Sequence, residues 1–404
     1  MSPAADHPRI VFANRVYWPD EQATAQLLTD LAEGLAARGW PVTVLTGRGA
    51  GLPPRELRQG VEIVRVGGRQ GRHPSLLAKA TAYLAFSWAL RRALRPALRA
   101  GDILVAMTDP PTLAPLAASA ARKAGARLVH WIQDIHPEIG LALRPNRLLA
   151  AASAPWRRRR DAAWRQADAC VALGRDMAGY VASRGVPGTR VRVLPNWAPG
   201  GAAPVAGDAG GPALRREWGL GDQFVVGYSG NLGRVHALEP VLAAAAELRS
   251  EAGVAFLFVG TGSQRPALER GACRQQLAHV HFRPPQPRAR LADSLAASDV
   301  QLVTLRSGCE RFVFPSKLYG VLAAGRPVVF VGPAHCELAE MVRRRGAGVV
   351  AADDDAAAVT AAIRSLHADP ARRAAMGRAA AGWFRATGGL PAALTAWEEL
   401  LHGR

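Results

Sequence analysis

One lysine stands in the stretch Phe312–Pro327, FVFPSKLYGVLAAGRP, of a chain that otherwise prefers arginine. Of its 51 lysines and arginines only Lys79, Lys123 and Lys317 are lysines. An ammonium at 317 suggests a place where a compact point charge fits and a planar guanidinium does not. Two glycine-rich runs, GYSGNLGR (Gly227–Arg234) and GTGSQR (Gly260–Arg265), each follow an apolar run and precede a helical pattern. In an open parallel sheet this is where small residues let a phosphate approach free main-chain N–H groups. Neither run is a Walker loop, since G-K-[ST] is missing, and neither completes G-x-G-x-x-G. Taken singly, each serves a tight turn as readily as a ligand. Taken with Lys317, the residues Gly230, Gly233 and Arg234 would form a diphosphate site, with Gly260 and Gly262 beside it. A second constellation, HWIQDIHPE, gathers His130, Asp134, His136 and Glu138 at the end of an apolar run. Its spacing is not that of a helical H-E-x-x-H zinc motif, and no D-x-D context stands out. The reading therefore expects no metal and no cofactor.

The elements that must position these residues alternate. RIVFANR, WPVTVLTG, VEIVRVG, DILVAMT, ARLVHWIQ and DACVALG read as short strands, with helices such as ATAQLLTDLAEGLAARG between them. In that helix Leu27, Leu28, Leu31 and Leu35 recur at helical spacing and Gly39 stops it. Around residue 195 the chain becomes rich in Gly, Pro and Ala without periodicity, as linkers are. The alternation then restarts at FVVGYSG. The expected class is α/β: two doubly wound parallel-sheet domains facing each other across a cleft. The boundaries are 1–197 for an N-terminal domain, 198–220 for a linker and 221–385 for a C-terminal domain. Residues 386–404 form a C-terminal helix packing back toward the first domain.

Composition sets further limits. With 404 residues and 49% hydrophobic content the chain can bury two cores. Cys170, Cys273, Cys309 and Cys336 show no C-x-x-C pairing, which suits reduced thiols. The N-terminal residues show no apolar run after a basic start, and the longest apolar stretch is short and carries Lys79, so neither a signal peptide nor a membrane span is expected. The net charge is +19. Residues 1–200 hold 28 basic and 14 acidic side chains, and 201–404 hold 23 and 18, so the excess sits in the first half. An arginine-rich composition accounts for this, as does a surface for anionic lipid or phosphate. Nucleic acid is not expected, because no recognition helix or RNA-binding signature accompanies the charge. HPSLLAKATAYLAFSWALRRALRPALR (His73–Arg99) sets Leu76, Leu77, Ala80, Leu84 and Trp88 along one helical face and then adds Arg91, Arg92, Arg95 and Arg99. Trp156–Arg160, WRRRR, is a second cluster. Such a helix is a core helix or one lying in a membrane interface.

The ordered set YWPDEQATAQLLTDLAEGLAARGWPVTVLTG, TDPP, HWIQDIHPE, VLPNW, GYSGNLGRVHALE, FVGTGS and PSKLYGVLAAGRPVVFVG resembles family 4 of the retaining glycosyltransferases over nearly the whole chain. The branch with P-S-K-x-Y is that of bacterial exopolysaccharide, O-antigen and colanic-acid-like transferases. The resemblance implies the GT-B fold of two Rossmann-like domains, with 1–197 binding the acceptor and 221–385 the nucleotide sugar. It also implies hexosyl transfer from a UDP-sugar, as co-substrate, to a lipid-linked saccharide, with retention and without metal. The acceptor would be a polyprenyl-diphosphate-linked sugar, and the enzyme would be cytoplasmic, peripheral on the inner face of the cytoplasmic membrane. By position, the resemblance puts Arg234 and Lys317 on the donor diphosphate and Glu310 on hydroxyls of the donor sugar. Arg283, Pro315, Ser316, Leu318 and Tyr319 fall around the donor nucleotide and sugar. Asp134, ahead of His136, matches the residue next to the transferred sugar, while Asp109, His130 and Glu138 face the acceptor. Asp20 and Glu21 stand where relatives carry glycines near the donor phosphates. The family's second glutamate, five residues before Gly325, is here Gly320, which cannot make a carboxylate contact with the ribose. A sugar-nucleotide epimerase or a non-catalytic binding protein on the same fold are the alternatives.

Overall fold

The apolar runs become strands buried on both faces, as parallel sheets require. The computed structural model describes residues 7–69, 76–198, 210–387 and 389–403. The chain divides into two units: Met1–Pro199 with Arg311–Phe314 and Leu390–Arg404, and Gly200–Glu310 with Pro315–Gly389. In the first, the strands are β1 (Ile10–Ala13), β2 (Val42–Arg48), β3 (Arg55–Arg58), β4 (Val61–Arg69), β5 (Ile103–Ala106), β6 (Arg127–Trp131), β7 (Ala169–Ala172) and β8 (Val191–Val193). They lie in the order β3-β4-β2-β1-β5-β6-β7-β8. All pairs are parallel except the edge hairpin β3–β4. β1 is central, with Ile10 opposite Val42 on one side and Ile103 on the other.

The helices of this unit are α1 (Ala23–Ala37), α2 (Leu76–Ala97), α3 (Leu113–Ala124), α4 (Glu138–Leu143), α5 (Arg147–Gln166) and α6 (Arg175–Ser183). In α1 the leucines at 27, 28, 31 and 35 are buried, and Gly39 takes the left-handed φ of +91° that ends the helix region. α2 turns out differently from its pattern. Phe86, Leu90 and Leu94 face the core, while Leu84 and Trp88 are exposed. Ala80, Leu84 and Trp88 of the expected stripe thus face outward, and the sheet takes the more strongly apolar face two residues on. His73 to Ser75 lie outside the described residues.

The second unit starts inside the expected linker. Gly211–Trp218 is a helix, α7, whose Leu214 and Trp218 are buried with Leu220 against Val225, Leu257 and Ala297. The i, i+4 pair of large apolar residues, a Pro in the first turn and Gly219 at φ +73° are enough to form it. Residues 199–209 lie outside the described residues. The six strands β9 (Phe224–Ser229), β10 (Val254–Val259), β11 (Val280–Arg283), β12 (Val300–Thr304), β13 (Val328–Val331) and β14 (Gly348–Ala351) are all parallel, in the order β11-β10-β9-β12-β13-β14. This is the 3-2-1-4-5-6 order of a dinucleotide-type sheet, whose ligand crevice lies where the order reverses, here between β9 and β12. Helices α8 (Glu239–Glu247), α9 (Arg265–Arg274), α10 (Leu291–Ala296), α11 (Lys317–Ala323), α12 (Glu337–Arg344), α13 (Ala356–Ala368) and α14 (Pro370–Thr387) complete it.

α15 (Gly389–Leu401) belongs to the first unit from Leu390 onward. Leu394, Trp397, Leu400 and Leu401 are buried there, and the Trp397 ring meets Trp131 edge-on at 5.0 Å. Trp131 in turn stacks on Trp197 at 5.9 Å, and the Trp197 indole donates to Asp30 at 3.1 Å. Replacing so large a buried ring leaves a cavity, so Trp397→Ala is expected to cost about 3–5 kcal/mol. Urea unfolding followed by circular dichroism checks this, and a loss under about 1 kcal/mol would mean that α15 does not hold the first core.

Candidate functional site

The reversal point of the second sheet lies where β9 runs into Gly230 and β12 into the segment ending at Lys317. Gly230 has φ +133° and Gly260 φ +144°. The two glycine runs are laced together: Gly230 N–H donates to Val259 O and Leu232 N–H to Thr261 O, both at 2.9 Å. A Cβ at Gly260 would be driven into the Gly230 carbonyl, and one at Gly262 into the main chain of Leu232. Gly260 and Gly262 are therefore glycines because another backbone lies against them. Gly233 meets the side chain of Asn231 in its own loop. Arg265 holds the arrangement, donating to Gly260 O at 2.6 Å and Arg283 O at 2.9 Å.

Against Gly230 lies the end of Lys317, with Cε 3.5 Å from where a Cβ would stand. Its Nζ is buried and makes no hydrogen bond with a described residue. It sits 3.4 Å from the centroid of the Tyr228 ring, a cation–π contact. Tyr228 OH donates to Asn231 O at 2.7 Å, and the His236 ring meets Tyr228 edge-on at 5.8 Å. Burial holds the Lys317 amine well below its ordinary pKa. Burial, then Lys317, pushes His236 down to about 3. His236 Nδ1 lies 2.7 Å from Thr304 O, so the neutral ring carries its proton there. Glu310 is half-buried, with Oε2 buried and making no hydrogen bond.

The other expected donor residues differ in role. Arg234 is exposed, and its carbonyl accepts from Arg306 Nε at 2.9 Å. Arg283 spends its guanidinium on main-chain carbonyls, Trp218 O at 2.9 Å and Phe282 O at 3.2 Å, and so ties α7 to β11. Pro315 and Ser316 open α11. Leu318 and Tyr319 turn their side chains into the core, so a contact there falls to main-chain atoms. Burial, with Glu337 next, raises the Tyr319 phenol. Gly320 is buried too, and a Cβ would come within 3.4 Å of Leu295 Cδ1. Tyr228, His236 and Arg265 were not among the expected site residues. Tyr228 and Arg265 lie within the quoted loops, but nothing local reveals that their side chains turn toward Lys317 or the loop carbonyls.

The first unit has the corresponding reversal between β1 and β5. Arg15, just after β1, grips Asp109, just after β5, through Nη2–Oδ2 at 2.8 Å and Nε–Oδ1 at 3.2 Å. Its N–H also donates to Asp109 O at 2.9 Å. Tyr83 of α2 lies against this pair, with Arg15 Cζ and Lys79 Nζ each 5.3 Å from its ring. Asp109, expected on the acceptor side, is thus half of an ion pair. Asp134 is exposed, and its N–H donates to Thr108 Oγ1 at 3.3 Å. Desolvation by the surrounding protein raises its carboxyl, with His136 opposing and Asp109 adding. His130, Asp134 and His136 line one small cleft with Thr108 and Trp164. His130 is buried deep in it. Burial lowers its pKa to about 4, and Nε2 makes no hydrogen bond with a described residue.

Glu138 corrects the expectation. Both its oxygens face inward: Arg160 donates to them at 2.6 and 2.8 Å, and Tyr180 OH at 2.6 Å. Burial opposes its charge, yet these donors hold its carboxyl below the ordinary range. Arg160 also binds Asp161 at 2.7 Å and lies 4.3 Å over the Trp164 ring. A carboxylate so enclosed pins α4 to α5 and α6 and is turned away from any acceptor. Of the WRRRR cluster, Arg160 is therefore interior, whereas Arg158 and Arg159 are exposed. Asp20 and Glu21 lie in a surface turn, where Asp20 accepts from Gln22 N at 2.9 Å.

The two buried imidazoles imply a pH dependence. Both are kept neutral when folded, so below about pH 6.5 the unfolded chain takes up protons that the native chain refuses. Stability is present above pH 6.5 and is lost as pH falls toward 4 for His130 and 3 for His236. At pH 4.5 His130 alone is expected to have removed about 2.5 kcal/mol. Urea midpoints from pH 7.5 to 4.5 test this. His130→Asn should flatten the first unit's share, and an unchanged slope would refute a neutral buried His130.

Comparison with known proteins agrees with this geometry. Residues 23–197 match the family model described as a glycosyl transferase 4-like domain, and residues 223–369 the model for glycosyl transferases group 1. The chain is 31% identical over 264 residues to WcaI of Escherichia coli K12, named for colanic acid biosynthesis glycosyl transfer, covering 63% of this chain and 64% of that one. It is 28% identical over 254 residues to WbjE of Pseudomonas aeruginosa, named as a glycosyltransferase, covering 62% of each. The match thus spans slightly less than two thirds of the length of these relatives. Among solved structures, sucrose-phosphate synthase of Thermosynechococcus elongatus aligns with a TM-score of 0.78 at 18% identity, over 98% of this chain and 99% of that one. HepE of Anabaena in complex with UDP and glucose, and WaaG of lipopolysaccharide biosynthesis, align at 0.74 and 0.73, each 17% identical over 98% of this chain and 100% of theirs. With two Rossmann-like sheets and both models matched in order, the chain belongs to family 4 of the glycosyltransferases, with the GT-B fold.

Proposed function

We propose that the chain is a glycosyltransferase that moves a hexosyl group from a UDP-sugar, with retention, to a lipid-linked saccharide in bacterial surface-polysaccharide synthesis. The observation that carries this reading is the Lys317 amine, buried beside Gly230 at the sheet's reversal point without a hydrogen-bonding partner among the described residues. A desolvated amine in that position is built for an anion, and a diphosphate brings one that also draws the proton onto the nitrogen. As the glycosidic bond breaks, charge builds on the departing diphosphate. An amine fixed beforehand by a buried ring and a glycine turn, and protonated once the diphosphate is bound, stabilises that charge without reorganising. Exposed Arg234 closes on the same group from solvent. In this reading these two cations take the part a divalent ion has elsewhere, and Glu310 turns its buried oxygen to the sugar hydroxyls.

The relatives support the chemistry from outside. WcaI and WbjE carry transferase names, and HepE has been seen with UDP and with UDP-glucose. In the first unit, Asp134 and His136 on the cleft rim are the candidate groups for chemistry, and His130 below them would stay neutral. We place the acceptor, a polyprenyl-diphosphate-linked sugar, at the cytoplasmic face of the membrane. No helix among the described residues is long and apolar enough to cross it. Gly320 favours a second reading, nucleotide binding without transfer, because the ribose loses the carboxylate that family members offer it. Product analysis separates the two.

Thermal unfolding with UDP, GDP, dTDP and ADP tests the site. UDP at 100 times its dissociation constant should add about 2.7 kcal/mol of apparent stability to the native chain. Lys317→Ala should lose that gain, and in a transfer assay it should lower turnover by about 10²–10³-fold. Equal stabilisation of both proteins by UDP would remove Lys317 from the donor site and the proposal with it.

A further inference from the structure

Three helices of the first unit form one layer, since α3 packs against both α2 and α5. The sequence across this layer has an unusual charge pattern. No Asp or Glu occurs between Glu62 and Asp102, between Asp109 and Asp134, or between Glu138 and Asp161. Helices α2 and α3 therefore carry no carboxylate at all. In α5 there is only Asp161, which is buried against Arg160 and Arg184. By contrast α1 and α15, which meet through Gly34 and Leu394, carry Glu33, Glu398 and Glu399. The positive excess of the chain's first half is thus concentrated on one helical layer.

The same layer exposes large apolar side chains. On α2, Leu84 is 66% and Trp88 62% exposed, in a stripe continued by exposed Arg91, Arg92 and Arg95. On α5, Leu148 is 83% and Leu149 50% exposed, beside exposed Arg144 and Arg147. Apart from Leu57 and Val193, these four are the exposed large hydrophobics among the described residues. Arg92 lies 4.7 Å over the Trp88 ring, so cation and aromatic form one unit. Both groups sit toward the same end of the sheet. Ser87 shares a 2.7 Å hydrogen bond with Thr112, which precedes α3 just beyond the C-terminal end of β5. α5 starts with Asn146 capping Leu149 N–H, shortly after the Asp134–Glu138 segment that leaves β6. Tyr83, adjacent to Leu84, contacts the Arg15–Asp109 pair.

We propose that α2 and the first turns of α5 dock this chain on an anionic bilayer, with Leu84, Trp88, Leu148 and Leu149 entering the headgroup boundary and the flanking arginines holding lipid phosphates. Charge complementarity selects that partner: a carboxylate-free arginine layer attracts a negative surface, and exposed leucines with tryptophan suit its apolar edge rather than a polynucleotide backbone. The docking end is also where the His130–Asp134–His136 cleft opens, so a lipid-linked sugar would meet the reactive loop without leaving the membrane. This deepens the acceptor reading above. Its test needs no sugar transfer, so the two stand or fall separately.

The full-length chain is mixed with vesicles of phosphatidylcholine alone or with about one third phosphatidylglycerol, and binding is read by flotation. Binding to the anionic vesicles is expected, falling with salt. The variant Leu84→Ser/Trp88→Ser and the variant Arg91→Glu/Arg92→Glu should each weaken binding at least about tenfold while the urea midpoint stays native. All these positions are solvent-exposed, so folding is not at stake, and urea unfolding followed by circular dichroism reports it. Equal binding to both vesicle types, binding that survives either variant, or tighter retention by single-stranded RNA than by anionic vesicles would each overturn the proposal.

Discussion

An amine withdrawn from water needs a compensating group, and much of the second unit is arranged so that Lys317 finds only a partial one. The residues after it in α11, Leu318 to Ala323, are buried and fix its stem. The Gly230 turn closes one side, and the Tyr228 face supplies weak compensation. That turn depends on Gly260, because only a residue without Cβ lets the Gly230 carbonyl come so close. Arg265 secures the neighbouring loop through the Gly260 and Arg283 carbonyls. The geometry is thus a chain of backbone contacts ending at one nitrogen, whose natural complement is an anion with several acceptor oxygens.

The first unit repeats the strand order of the second, with an antiparallel strand added at one edge and a parallel one at the other, without repeating the chemistry, and strand order alone therefore does not assign a function. Its reversal point is bridged by Arg15 and Asp109, which neutralise each other. Deeper in, Glu138, Arg160, Asp161 and Tyr180 form a satisfied buried network, where charge serves to hold helices in register. The groups left for chemistry are Asp134 and His136 at the rim and neutral His130 below. Arginine has three distinct uses here. It is sealed in the interior at 160, bonded to main-chain carbonyls at 265 and 283, and exposed beside apolar side chains on α2 and α5.

Several features were legible from residue order. The β-α alternation, two domains, the leucine face of α1 and the glycine loops after strands all follow from periodicities of 2 and 3.6 and from turn chemistry. The segment 198–220 misled, because a helix as short as α7 shows only Leu214 and Trp218 as its apolar signature amid Gly, Pro and Ala. α2 misled for another reason. It carries two apolar stripes, Ala80-Leu84-Trp88 and Phe86-Leu90-Leu94, and a count along the helix cannot say which one meets the sheet. Glu138 belonged to a reactive-looking motif, yet its partners lie 22 and 42 residues further along the chain.

By itself, then, the sequence determined the class of fold, the order of its elements and the glycine loops that follow its strands, because these depend on neighbours within a helical turn or a strand. Only the tertiary structure decided which charges are spent and which remain. Arg283 and Glu138 are engaged, the Lys317 nitrogen is buried without a hydrogen bond, and Leu84 and Trp88 face outward. The physical reason is that burial and pairing depend on groups brought together from distant parts of the chain, and local spacing carries no record of them.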